Sequence, residues 1–219
     1  MSKLSINRYL DHAVLKPEMS REETIDAIKL GIDYNVRTVC VKPCDIDLAI
    51  ELCEGTETEV SCVLSFPHGS NPSSIKQEEA KLYIEKGAKE IDMVANYGWI
   101  KSGLWDLVEE DIKNVSKVTR AKGVLLKVIF ETAVLTPEEI SKTTEICIKA
   151  NADYVKTSTG FNGEGANEEN VKIMLDTAKD RIKVKASGGI RDRKTAEMFI
   201  NMGCERLGNG YSSTPDICK

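Results

Sequence analysis

Histidine is almost absent from this chain. His12 and His68 are the only two in 219 residues, too few for the histidine-rich donor set of a zinc centre, and no metal site is expected. The seven cysteines, at 40, 44, 53, 62, 147, 204 and 218, are odd in number, scattered and free of any C-x-x-C. Reduced thiols are therefore expected rather than a disulfide framework. No run of about 18 apolar residues occurs, and the polar opening M-S-K-L-S-I-N-R-Y-L lacks a signal peptide's apolar segment. These absences predict no membrane span and a cytoplasmic location. An excess of positive charge is missing too, the formal net charge being −5. That argues against nucleic acid as the main ligand while leaving room for a local cationic pocket around a small phosphate.

What is present is an alternation of strand-like and helix-like segments without a linker or low-complexity break, read as one domain over 1–219. A short strand is expected near residues 8–11. Ser20 and Glu23 form a capping box for the helix that follows, with Ile25, Ile28 and Ile32 along one face. T-V-C-V at 38–41 is the second strand, leading to a helix that ends near Glu54, and 59–66 is the third. Ser74 with Gln77 is read as the cap of the next helix, and 90–95 as the fourth strand. After the loop N-Y-G-W-I-K-S-G comes the longest helical pattern, 104–120. L-L-K-V-I-F-E is the fifth strand, followed by a helix capped by Thr136 and Glu139 with Pro137 at its first position. D-Y-V-K-T-S-T-G, I-K-V-K-A-S and C-E-R-L-G are strands six to eight, with helices around Val171–Ala178 and from about Arg193 to Gly203. Pro215 and the few residues beyond it leave almost no eighth helix.

The fold expected from this order is α/β, a single (β/α)8 TIM barrel with a shortened or atypical eighth helix. A doubly wound open sheet would show the same alternation, but no G-x-G-x-x-G follows an early strand. Polar residues also recur late in several strands, as a closed barrel with one shared mouth requires.

Lysines mark that mouth. Lys127, Lys156 and Lys185 stand inside strand-like runs at equal intervals of 29 residues, where buried strands ordinarily carry aliphatic side chains. The two-residue strand period allows all three, with Asp92, to face the barrel interior near its loop face. An interior amine beside a second cation loses proton affinity through desolvation and like charge, and so becomes a nucleophile toward carbonyls. Asp92 could then move protons. A structural Asp–Lys cluster with packed lysine stems is the alternative. Thr159–Gly160, Gly188–Gly189 and Leu207–Gly208 end strands six to eight, and loops there commonly hold phosphate on backbone N–H groups. Arg191 could add a charge. Cys40 is read as a core residue of T-V-C-V with lining the pocket as the alternative, Asp11 as a proton-network member beneath the pocket, His12 and His68 as structural and surface residues, and Glu131 as the partner of a lysine.

At these residues the chain resembles the deoxyribose-phosphate aldolases, class I aldolases on a TIM barrel. The resemblance runs in order through D-H-A-V-L-K-P (11–17), S-F-P-H-G (65–69), E-I-D-M-V-A-N (90–96), L-K-V-I-F-E (126–131), V-K-T-S-T-G-F (155–161), V-K-A-S-G-G-I-R (184–191) and R-L-G (206–208). It implies that Lys156 forms an imine, that Asp92 relays protons and that Lys185 tunes Lys156. It further places Lys127, Cys40 and Asp11 around the pocket, and Gly160, Gly188, Gly189, Arg191 and Gly208 at a phosphate. The implied substrates are a small phosphorylated deoxysugar and short aldehydes, with no cofactor and a homodimer as the assembly. After R-L-G the family continues with a small residue and two serines, whereas this chain reads N-G-Y-S-S-T-P. Ser212 joins the phosphate set only if the two serines have shifted along the chain.

Overall fold

In the computed structural model, which describes residues 5–219, eight parallel strands close into a barrel in chain order. The elements run β1 (Leu10–Val14), α1 (Arg21–Asp33), β2 (Thr38–Val41), α2 (Ile46–Cys53), β3 (Glu59–Leu64), α3 (Ser73–Glu85), β4 (Glu90–Val94), α4 (Tyr97–Lys101), α5 (Trp105–Ala121) and β5 (Leu125–Ile129). They continue with α6 (Pro137–Lys149), β6 (Tyr154–Lys156), α7 (Glu168–Ala178), β7 (Lys183–Ser187), α8 (Arg193–Met202), β8 (Arg206–Gly210) and α9 (Thr214–Cys218). The expected (β/α)8 barrel is therefore observed, and its closing helix α9 has only five residues.

The strands separate two environments by their period of two. Outward residues such as Val39, Val41, Leu64, Ile91, Met93, Leu126, Val128, Val155 and Val184 join Ile28, Ala80, Ile112, Val115 and Ile140 of the helices in one large apolar core. Each such side chain, fully buried, stabilises by roughly 1.5–3 kcal/mol. Within the barrel a small apolar cluster, Leu15, Cys40 and Val63, lies near the mouth. Beneath it the buried side chains are polar or charged, among them Asp11, Thr38, Ser61, Glu90, Asp92, Lys127, Lys185 and Arg206.

Helix signals in the sequence are reproduced where the side chain serves its own helix. Ser20 with Glu23 and Thr136 with Glu139 form complete capping boxes, and α8 ends at Gly203 with φ 118°. Three local expectations are corrected. Residues 6–9 form a 3-10 turn and β1 runs from Leu10, because Asn7 and Arg8 are drawn to the carbonyls at the end of α1, Nδ2 of Asn7 donating to Tyr34 and Asn35 and Arg8 donating to Val36. Ser74 and Gln77 do not cap α3: its N-cap is Pro72, while Gln77 reaches α5 to donate to the Asn114 carbonyl. The loop after β4 contains α4, capped by Asn96, whose side chain accepts from the N–H of Trp99.

Candidate active site

Register sets the height of every charged side chain in the barrel. Asp92 pairs with Lys127, and Lys127 with Tyr154, whereas Lys156 pairs with Ile129 and Lys185. Equal sequence spacing therefore does not give equal depth. Lys127 sits two residues below Lys156 and Lys185, fully buried.

Lys127 Nζ lies 2.8 Å from Asp92 Oδ1, 3.0 Å from Asp11 Oδ2 and 2.5 Å from Glu90 Oε2. Burial alone would strip its proton, but Asp11, Asp92 and Glu90 outweigh that effect and hold its proton affinity well above the usual lysine value. The expectation that each interior lysine is a weakened amine is thus corrected at Lys127, which is a fixed cation. Lys156 differs. Its Nζ has Asp92 Oδ2 at 2.8 Å, and that oxygen is shared with Lys185 Nζ at 2.7 Å. Desolvation lowers the proton affinity of Lys156; the Lys185 ammonium lowers it further, and Asp92 only partly opposes them. Asp92 itself, desolvated but faced by Lys127, Lys156 and Lys185, is held well below the usual carboxylate range.

A base layer completes the cluster. Lys185 Nζ also donates to Asp11 Oδ2. Arg206 donates to Asp11 Oδ1 at 2.7 Å and grips Glu90 at 2.8 and 3.1 Å. Thr38 adds a hydroxyl donor to Asp11 at 2.8 Å, with Ser61 behind it at 2.9 Å. Burial would raise the Asp11 carboxyl, but Arg206, Lys127 and Lys185 drive it well below the ordinary range. Formally, three carboxylates (Asp11, Glu90, Asp92) thus face four cations (Lys127, Lys156, Lys185, Arg206) in one interior. Removing one proton balances the set, and the lysine at which burial and like charge together outweigh the carboxylates is Lys156.

Glu90 and Arg206 were not assigned to the site by sequence reasoning. Glu90 has the same strand parity as Asp92, two residues on, and that was the available signal. Arg206 looked like part of the R-L-G motif alone. Glu131 does not pair with a lysine: it accepts from the Thr159 N–H at 3.1 Å, from the Thr159 hydroxyl and from Asn162 at 3.1 Å. Its φ of 60° turns the chain after β5, and its carboxylate fastens the loop after β6.

Above the charges opens a cavity of about 390 Å³. Lys156, Lys185, Asp11 and Cys40 form its floor, while Gly160, Gly188, Gly189, Arg191, Gly208 and Ser212 belong to its wall. Asp92 and Lys127 lie below rather than in that wall. Burial, and secondarily Asp92, push the Cys40 thiol up, so it is a neutral filler of the floor. Gly208 is required by close packing: a Cβ there would stand 2.7 Å from Ser187 Cβ and 3.2 Å from Lys185 Cε. Gly165 crosses so near Gly188 that a Cβ would fall 2.2 Å from its carbonyl; Ala166 N–H donates to the carbonyls of Ser187 and Gly188. His12 is buried in a hydrogen-bonded structural setting and His68 is exposed, as expected. Among the described residues no helix is long and apolar enough to cross a membrane.

The arrangement suits carbonyl chemistry: one amine at the floor of a cavity, an ionised carboxylate shared with a second amine, and a glycine-walled end bearing a cation. Known proteins resemble this chain over nearly its whole length. The deoxyribose-phosphate aldolase of Mannheimia succiniciproducens is 45% identical over 208 residues, spanning 95% of this chain and 92% of its own length. That of Clostridium tetani is 45% identical over 206 residues, 94% of each chain. Among solved structures, QR15, an aldolase, is 40% identical with a TM-score of 0.92, covering 99% of this chain and 95% of its own. The model of the family described as DeoC/LacD family aldolase matches residues 7–218, almost the whole barrel, and the chain therefore belongs to the DeoC/LacD aldolases.

Proposed function

We propose that this protein is a class I aldolase that reversibly cleaves 2-deoxy-D-ribose 5-phosphate to acetaldehyde and D-glyceraldehyde 3-phosphate, with Lys156 as the imine-forming amine. The observation that carries this reading is the environment of Lys156: an amine on the cavity floor, weakened by burial, whose carboxylate partner Asp92 is shared with Lys185. The relatives named above support the substrate assignment.

In the cleavage direction neutral Lys156 attacks C1 of the open-chain sugar, and loss of water from the carbinolamine gives a protonated imine. Removal of the C3 hydroxyl proton breaks the C2–C3 bond. The electron pair moves through C2 onto the imine nitrogen, giving an enamine and releasing glyceraldehyde 3-phosphate. Protonation at C2 restores the imine, and water then releases acetaldehyde and Lys156. Asp92 Oδ2, between the two amines, is the acceptor through which protons pass between Lys156 and Lys185. Lys127 and Asp11 hold Asp92 and Lys185 in place from below. The phosphate end is assigned to Gly160, Gly188, Gly189, Gly208 and Ser212 with the charge of Arg191, at the start of α8. Both Ser212 and Ser213 line this end, which favours the shifted-serine reading of the tail.

A homodimer is the assembly proposed, supported by Ile75, Leu82, Leu104 and Leu107, which stay exposed on or beside the adjacent helices α3 and α5. The reaction is tested by borohydride reduction in the presence of acetaldehyde, read by peptide mass. An ethyl group on the Lys156 peptide, absent from Lys156→Ala, is the expected result. Folded wild-type protein that takes up no label would sink the assignment.

A further inference from the structure

The segment that leads into the shortened closing helix α9 is held by a buried chain of hydrogen bonds far from Lys156 in sequence. Asn209 Nδ2 lies 2.8 Å from Thr214 Oγ1, Thr214 Oγ1 lies 2.7 Å from His12 Nδ1, and His12 Nε2 lies 2.8 Å from the Ala27 carbonyl. All three side chains are buried, none more than 2% exposed. Their protons have one consistent arrangement. The Ala27 carbonyl only accepts, so Nε2 carries the proton of a neutral imidazole and Nδ1 accepts. Thr214 must then donate its single hydroxyl proton to His12, and its oxygen accepts from the Asn209 amide. The amide is held for its N–H, since Asn209 Oδ1 is buried with no partner among the described residues. Burial holds His12 neutral, its pKa lowered to about 4.

Four structural elements meet in this chain: Asn209 on β8, Thr214 at the start of α9, His12 on β1 and Ala27 in α1. Between Asn209 and Thr214 lie Gly210, Tyr211, Ser212 and Ser213, and all four line the cavity. Both ends of that wall are thus tied to one oxygen. The Tyr211 ring leans on the imidazole, with centroids 6.4 Å apart, and Lys16 Nζ, also lining the cavity, lies 5.9 Å from the Tyr211 centroid. The space for the His12 ring is built in as well: a Cβ on Gly31 of α1 would stand 3.0 Å from His12 Cδ2 and 2.8 Å from Val39 Cγ1. α9, with five residues and no side-chain cap, is too short to hold the wall by helix formation alone.

We infer that Asn209, Thr214 and His12 are positioning residues that set the 210–213 wall against the phosphate of the substrate, while leaving the imine chemistry of Lys156 untouched. The inference rests on the aldolase reading for its substrate, and it predicts a specificity effect rather than a loss of catalysis. Thr214→Val keeps the shape of the side chain and removes the hydroxyl. The expected result is a KM for 2-deoxyribose 5-phosphate raised about tenfold or more with kcat retained, and an unchanged kcat/KM for unphosphorylated 2-deoxyribose. Thr214→Ser restores the wild-type KM. Equal losses on the two sugars, or an unchanged KM for the phosphorylated one, would overturn the inference. Asn209→Ala frees the other end of the wall and is expected to raise the same KM, which keeps the question decidable should Thr214→Val not fold. Calorimetric titration with inorganic phosphate separates the two readings. Wild type that binds phosphate more tightly than Thr214→Val, yet traps no acetaldehyde, would retain the wall and remove the aldolase; equal phosphate affinity in the two proteins would remove the wall.

Discussion

Two buried lysines, each bonded to an aspartate, stand in different parts of this molecule and have different fates. Lys76 of α3 is fully buried in the helical shell, donating to Asp111 Oδ2 of α5 at 2.6 Å and to the Val94 carbonyl at 3.1 Å. Lys156 of β6 stands on the barrel floor with half a claim on Asp92. Desolvation lowers the proton affinity of both. A depressed lysine is therefore not by itself a nucleophile. Among the described residues no second lysine meets the carboxylate of Lys76, while Lys156 has a competing ammonium beside it and a cavity above it. On the proposed reading, access and charge competition, rather than burial, separate the structural pin Lys76 from the amine assigned to the imine, Lys156.

The comparison is broken most severely by removing each amine in turn. Lys156→Ala should abolish turnover, by about 10³-fold or more, with the circular dichroism and melting curve of a folded barrel. Lys76→Met should do the reverse: it leaves Asp111 buried without its cation and bonded to the Ser73 hydroxyl, so denaturant unfolding should show a loss of about 3–5 kcal/mol while kcat of the folded protein is retained. Turnover surviving in the first variant, or full stability in the second, would erase the distinction.

Charge competition is sharpened by Lys185→Met. The Lys185 ammonium lowers the proton affinity of Lys156, so without it Lys156 holds its proton to higher pH. The acid limb of the kcat/KM profile should move toward alkaline pH, by about one unit or more, each unit cutting the neutral amine about tenfold below the limb. A limb that stays in place would mean that Lys185 does not set the protonation of Lys156.

His12 is the third buried base, and it extends the comparison to a group with complete pairing. Its folded pKa, about 4, lies below the unfolded value near 6.5, so between these pH values the unfolded chain binds more protons and stability rises with pH. The contribution is fully present above pH 6.5 and is lost as pH falls toward 4, amounting to roughly 3 kcal/mol. Urea unfolding from pH 4 to 7 should show a shallower acid decline in His12→Gln than in wild type. The carboxylates titrate in both proteins, so the difference isolates the imidazole. Parallel declines would place His12 in a solvated setting that the structure does not show.

Much of the barrel could be read along the chain because its signals are local. The capping boxes at Ser20 and Thr136 and the glycine stop at Gly203 involve residues within one turn of each other, and they are observed as expected. Ser74 misled because the side chains at the start of α3 are spent on a neighbouring helix, Ser73 on Asp111 and Gln77 on Asn114, a competition that no local window contains. Glu131 misled in the same way, its partners Thr159 and Asn162 lying on the next loop.

The sequence by itself placed Asp92, Lys127, Lys156 and Lys185 on four successive strands at a parity that allows one shared interior, since strand parity and the alternation of elements are properties of the chain. Only the tertiary structure decided their ranks. Barrel register set Lys127 a layer deeper, and closure of β8 onto β1 delivered Arg206 and Asp11 to the same carboxylate network. The His12–Thr214 contact likewise spans 202 positions of sequence. The physical reason is range: hydrogen-bonded caps and pleat parity act over a few residues, whereas the proton affinity of a buried amine depends on charges that only chain closure brings within about 3 Å.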